Sequence, residues 1–324
     1  MANSERPHVL AIVGPTAIGK TSLSIDISHH IPSEVISADS RQIYRQMDIG
    51  TAKATDDEQS QVIHHLVDVV DPDQELTLSH FQRMANAAIV DIWSRGRLPM
   101  LVGGTGLYVK ALLEGWTVPE VPPDQDLRAT LYREAEALGN LSLHDRLRRI
   151  DPISADSIDA RNVRRVIRAI EVYEATGKPF SAFQQKRPPD YKVLRIGLTM
   201  PREELYARVD KRIEAMVAAG LLDEVRALVE RGYGDDLPAM SALGYREMAM
   251  VLRDEMSLEE AMMLLKRHTR RFVRAQYNWF RLSDPEIHWF DRRSLDLAEI
   301  LELMTQFLSD TPLTEDTSHV DDKA

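Results

Sequence analysis

The 324-residue sequence contains no cysteine. That excludes a disulfide framework, a cysteine nucleophile and a thiolate zinc site, and it fits a reducing compartment. No apolar run approaches the roughly 20 residues that span a bilayer. The opening Met-Ala-Asn-Ser-Glu-Arg-Pro-His lacks the basic-then-apolar order of a secretory signal. The expectation is a cytoplasmic protein with no membrane partner. Basic residues fall short of acidic ones, for a net charge of −11. An acidic surface on average repels polyanions, but distribution matters more than the total. The acids gather at 56–75, 120–136, 254–260 and 310–322, while two basic stretches, taken up below, hold almost none.

What is present is an ordinary globular composition, 44% hydrophobic and 28% charged, long enough for one α/β domain carrying a smaller insertion. The apolar run 8–13 reads as a buried parallel strand, followed by a helical pattern from Lys20 to about His30. A second strand at 35–38 closes at Asp39, and 48–75 reads as loop. Residues 79–95 form an amphipathic helix with Phe81, Met84, Ala88 and Ile92 on one face. A third strand at 98–102 runs into Gly103-Gly104-Thr105-Gly106. Strands alternating with helices imply a doubly wound parallel sheet. A proline-rich connector with Pro119, Pro122 and Pro123 then leads into purely helical signals from 126 to about 186, stopped at Gly177 and Pro179. A strand returns at 191–198, helices follow at 202–232, 244–252 and 257–282, and a last strand at 287–290. The expected layout is a core of 1–117 and 190–308, an all-helical insertion at 118–189, and a disordered acidic tail at 309–324.

Gly14-Pro15-Thr16-Ala17-Ile18-Gly19-Lys20-Thr21 matches the phosphate-binding P-loop, placed after a strand and opening a helix. The loop glycines let backbone N–H groups face phosphate oxygens at the positive end of the helix dipole. Lys20 would neutralise the outer phosphate, and the Thr21 hydroxyl would hold Mg²⁺. This pattern specifies a di- or triphosphate without saying which. In an open α/β sheet the ligand crevice lies at the carboxyl ends of the strands, so Asp39, Thr105 and the loop should converge there. Asp39 could then ligate the metal, act as a base, or merely cap a helix.

Further segments carry a resemblance. Ser37-Ala38-Asp39-Ser40-Arg41-Gln42-Ile43-Tyr44, Met47-Asp48-Ile49-Gly50-Thr51-Ala52-Lys53, His64-His65-Leu66-Val67-Asp68 and Gly103-Gly104-Thr105-Gly106-Leu107-Tyr108 follow the P-loop in order. Arg168-Ala169-Ile170-Glu171-Val172-Tyr173, Ala242-Leu243-Gly244-Tyr245-Arg246-Glu247 and Trp279-Phe280-Arg281 complete the series. Over roughly 8–290 the chain resembles the tRNA dimethylallyltransferases. The resemblance implies transfer of a dimethylallyl group from its diphosphate to N6 of the adenine 3′ of the anticodon, in tRNAs reading codons that begin with U. It assigns Gly14, Pro15, Thr16, Ala17, Ile18, Gly19, Lys20, Thr21 and Arg208 to the diphosphate, with Arg212 as a further candidate. Asp39 becomes the base and Thr105 a lining of the channel between donor and acceptor. Asp39, Ser40, Arg41 and Gln42 would meet the extruded nucleotide, the Gln42 amide pairing with base edges.

Two departures stand out. Ile18 replaces a small or polar residue, at a position read as contributing mainly backbone. Asp159-Ala160-Arg161-Asn162 stands where the family commonly shows His-Pro-Asn-Asp. The absence of a cysteine/histidine zinc extension points to the bacterial type.

Arg161, Arg164, Arg165 and Arg168 sit at i, i+3, i+4 and i+7, placing four guanidinium groups on one helix face. The run 266–274, continuing through Trp279 to Arg281, contains no acid. Arginine forks suit phosphate oxygens, so these residues, with Arg246, Arg270, Arg274 and Arg281, are expected to meet the tRNA. Solvated basic faces are the alternative, as Arg208 and Arg212 could simply pair with Glu204. Phe272 and Trp279 read as core-facing. Two rival functions remain open at this level: an adenylate isopentenyltransferase, and a P-loop kinase acting on a small molecule. A non-catalytic RNA-binding protein is disfavoured by the intact Lys20, Thr21 and Asp39. One copy of the chain suffices for the mechanism, so a monomer is expected.

Overall fold

The run His-Val-Leu-Ala-Ile-Val is fully buried because helices cover both faces of a parallel sheet, which leaves no side for alternation. The structure, a computed structural model, describes residues 6–183 and 185–309. Its strands are β1 (His8–Val13), β2 (Ser33–Ser37), β3 (His64–His65), β4 (Leu98–Gly103), β5 (Lys192–Thr199) and β6 (His288–Asp291). They form one sheet in the order β3-β2-β4-β1-β5-β6, with every pairing parallel. The chain leaves β1 first toward β2 and β4 on one side and later toward β5 and β6 on the other. The resulting switch point lies at the carboxyl end of β1, where residues 14–21 begin.

Three sequence expectations need correction. The stretch 48–75 holds β3, too short and too polar to register as a strand pattern. On the helix Leu78–Ser94 the buried line is Phe81, Ala85, Ile89 and Ile92, while Met84 and Ala88 are only half-buried. The helix expected over 202–232 is broken into Arg202–Ala218 and Leu221–Glu230. Gly220 sits between them at φ 102°, a left-handed conformation that glycine adopts without steric cost.

By internal contacts the chain divides into two compact units. One comprises residues up to 75, Met84–Val109 and the chain from Asp190 onward, and holds the sheet. The other comprises Leu76–Arg83 and Lys110–Pro189. The second unit is built from helices Gln125–Leu138, Asn140–Ile150, Pro152–Ser157 and Val163–Thr176, packed round Leu131, Leu143, Leu147, Val166, Ile167 and Ile170. Glu171, 1% exposed, braces it by accepting from Asp124 N (2.8 Å), Arg128 Nε (2.8 Å) and Arg168. Burial would raise this carboxyl, but the two arginines and the backbone donor outweigh it and hold the group below the usual range. The tail 310–324 lies outside the described residues.

Candidate active site

The phosphate loop follows β1 and closes into the helix Lys20–Ser28, whose N-cap Gly19 has φ 102°. Lys20 Nζ donates to the carbonyls of Gly14 (3.1 Å) and Pro15 (2.8 Å). Burial pushes its ammonium down to about 8; Asp39 works against that shift, and Arg212 adds to it. Ile18 is fully buried, so its side chain packs into the core in addition to supplying backbone. Arg208 Nε donates to Ala17 O at 3.0 Å, while Glu204 pairs with Arg293; the anticipated Glu204 pairing is therefore replaced. Burial lowers the Arg212 guanidinium, and Asp39 opposes the shift.

Two cavities open on this loop. The first, about 660 Å³, is lined by Gly19, Lys20, Thr21, Asp39, Arg208, Lys211 and Arg212, and is strongly cationic. The second, about 580 Å³, is walled by Leu107, Val209, Ile213, Met216, Leu265 and Phe272, with Ser40, Arg41, Thr105, His268 and Trp279 among its polar and aromatic residues. Thr16, Ala17, Asp39, Thr51 and Arg212 line both. Asp39 therefore stands where a charged chamber meets an apolar one.

Local hydrogen bonds hold this junction. Asp39 Oδ1 accepts from Arg41 N at 2.8 Å, turning the chain sharply after β2. Thr105 Oγ1 accepts from Ser40 N at 3.1 Å, so the hydroxyl ties two strand ends together instead of capping the helix Gly106–Leu113. Arg41 Nη1 donates to Pro238 O at 2.7 Å. Glu224 accepts from the backbone N–H groups of Asp48 (3.0 Å), Ile49 (2.8 Å) and Gly50 (3.1 Å), fixing the loop that supplies Thr51.

Several sequence assignments change here. Gln42 lines the cationic cavity, where its amide oxygen accepts from Ser37 Oγ (2.9 Å) and its amide nitrogen donates to Ala52 O (3.1 Å). Arg161 lies before the helix Val163–Thr176, capped by Asn162, and is paired with Asp159. Arg168 is spent on Glu171 and Val121 O. Of the four guanidinium groups, Arg161, Arg164 and Arg165 are exposed, Arg161 beside Asp159, and Arg168 is half-buried. In the second run Arg270 pairs with Asp210, while Arg274, which donates to Tyr206 Oη at 3.1 Å, and Arg281 are exposed, as is Arg246 outside the run. Phe272 is 42% exposed and Trp279 half-buried, both on the apolar cavity, because Val273, Gln276 and Phe280 take the core-facing positions.

One residue had no sequence signal. Gln276, buried within the long helix Leu258–Trp279, accepts from Thr16 N at 2.9 Å and donates to Gly104 O at 3.0 Å. It links the phosphate loop to the glycine-rich loop after β4. Gly106 has no room for a side chain, since a Cβ there would stand 2.1 Å from Trp279 Cγ.

Comparison with known proteins identifies the family. A family model described as IPP transferase matches residues 42–283, and one described as isopentenyl transferase matches residues 7–67. A protein of Roseiflexus sp. (strain RS-1) named tRNA dimethylallyltransferase is 55% identical over 84% of this chain and 90% of its own. The crystal structure of a tRNA isopentenylpyrophosphate transferase from Bacillus halodurans is 41% identical, with a TM-score of 0.68 over 94% of this chain and 96% of that one. A eukaryotic dimethylallyltransferase acting on tRNA is 26% identical, with a TM-score of 0.80 over 96% and 81%. The chain belongs to the tRNA dimethylallyltransferase family.

Proposed function

We propose that the protein transfers a dimethylallyl group from dimethylallyl diphosphate to N6 of the adenine 3′ of the anticodon, in tRNAs reading codons that begin with U, and releases pyrophosphate. The observation that carries this reading is the meeting of a cationic and an apolar cavity at Asp39, in a member of this family. The diphosphate takes the cationic chamber, on the loop N–H groups, Lys20 and Arg208. The adenine ring and the dimethylallyl tail find an apolar wall in the other. The allylic C–O bond breaks, the N6–C bond forms, and the N6 proton passes to Asp39. Oδ1 of that carboxylate already accepts from Arg41 N, which leaves Oδ2 for the proton. Charge growing on the leaving group is met by donors already in place.

A divalent cation, Mg²⁺, would be held by the Thr21 hydroxyl and the diphosphate oxygens, with Asp39 on the same cavity. These are oxygen donors, as Mg²⁺ prefers, and among the described residues no group of three or more acidic or histidine side chains offers a wholly protein site. When bound, it neutralises charge on the departing diphosphate.

Arg161, Arg164 and Arg165 in the helical unit, and Arg246, Arg274 and Arg281 in the sheet-bearing unit, are exposed cations offered to tRNA phosphates. Reversing both Arg164 and Arg165 to glutamate is expected to weaken tRNA binding and to make the slope of log affinity against log salt shallower by about 1.4–1.8. An unchanged slope would return them to a merely solvated face. No helix of the described residues is long and apolar enough to cross a membrane. The reaction belongs with its tRNA in the cytoplasm, and a monomer carries every group named.

The test incubates the protein and Mg²⁺ with labelled dimethylallyl diphosphate and an unmodified tRNA carrying A after the anticodon. Parallel tubes hold AMP as acceptor, or labelled ATP as donor. Label in that tRNA, lost when the adenine is changed, is the expected result. Label in AMP would instead indicate an adenylate isopentenyltransferase, and phosphate leaving ATP a kinase.

A further inference from the structure

Arg292 follows β6 at the carboxyl edge of the sheet, and its N–H donates to Thr199 O of β5 at 2.8 Å. Its side chain turns onto the phosphate loop. Nε lies 3.1 Å from the point a Cβ on Gly19 would occupy, and Arg208 Nη2 lies 3.8 Å from the same point. Two guanidinium groups thus flank one backbone position at the positive end of the P-loop helix, with Lys20 next in the chain. Arg292 Nε is buried without a hydrogen-bond partner, and among the described residues Arg292 has no ion pair. The nearby acids are already engaged: Asp291 and Glu204 both pair with Arg293, at 2.6 and 3.1 Å. Like charges held this close repel one another, and a bound anion relieves that repulsion.

We propose that Arg292 is a further diphosphate-binding residue, acting beside Arg208 on the donor. The identity of the donor rests on the function proposed above; the anion-binding role does not. Sequence alone offered no reason to separate Arg292 from Arg293, since the two stand side by side in a polar turn. Only the position of Asp291 and Glu204 shows which of them is spent.

Calorimetric titration with inorganic pyrophosphate and Mg²⁺ tests this directly on the full chain. Arg292→Gln should raise the pyrophosphate Kd by about 10- to 100-fold, the range of a lost charge-assisted hydrogen bond. Arg293→Gln should leave it within about twofold, as an exposed pair would. In transfer assays the Arg292→Gln variant should show a matching rise in donor KM with tRNA KM unchanged. Arg292→Lys keeps the charge but not the fork, so a smaller weakening is expected, which provides a second reading if the glutamine variant does not fold. Wild-type binding with unaltered Kd in the Arg292 variants overturns this proposal alone. No pyrophosphate binding by the wild type overturns it together with the diphosphate reading of the loop.

Discussion

Asp39→Ala lowers turnover by about 10²–10⁴-fold while leaving donor affinity nearly intact, the size of effect a positioned general base contributes. The carboxylate is half committed to structure, because Oδ1 accepts from Arg41 N. Alanine therefore removes both a base and a turn-forming acceptor. Asp39→Asn separates the two, since the amide oxygen can still accept from Arg41 while the side chain can no longer take a proton. If proton transfer is the role, both variants lose turnover to a similar extent in single-turnover measurements with saturating donor. Full activity in the asparagine variant would remove Asp39 from the chemistry and leave it as a loop anchor.

Lys20→Met should lower kcat by about 10²–10³-fold, comparable to losing one preorganised donor to a developing anion. It should also change the pH dependence of donor binding. Burial holds the free ammonium at about 8, and a bound diphosphate stabilises the charged form and so raises that value. Above the last phosphate ionisation, donor affinity in the wild type is therefore flat up to about 8 and falls as pH rises through it, because binding then requires proton uptake. The terminal phosphate, with its last ionisation near about 6, is already fully charged in that window and adds no slope. In Lys20→Met the alkaline fall disappears. Persistence of the fall in that variant would assign it to another group on the cavity.

The P-loop, the strand before it and the helix after it were legible because each depends on neighbours within a few residues. The same holds for Asp39 and Thr105, which follow β2 and β4 and therefore had to meet at the carboxyl edge of a parallel sheet. The family segments added the substrate class. The arginines were less legible. Helical spacing put Arg161 and Arg168 on one face with Arg164 and Arg165, but spacing says nothing of acids elsewhere. The buried Glu171 takes Arg168, while Arg161 stays exposed beside Asp159. Phe272 and Trp279 were assigned to the core by their seven-residue spacing, yet Val273 and Gln276 occupy that side of the helix.

Local order along the chain was enough to specify a phosphate-binding α/β protein and its central carboxylate, since turns, caps and strand ends are short-range events. Which cations remain free for ligands, and which polar groups join the two loops, was settled only when distant segments packed. Gln276 reaches Thr16 across 260 residues and Gly104 across 172. Arg292 gains its place beside Gly19 only because β6 pairs with β5, which pairs with β1. Such contacts depend on sheet order and on competition among charges in three dimensions, and neither is written in residue spacing.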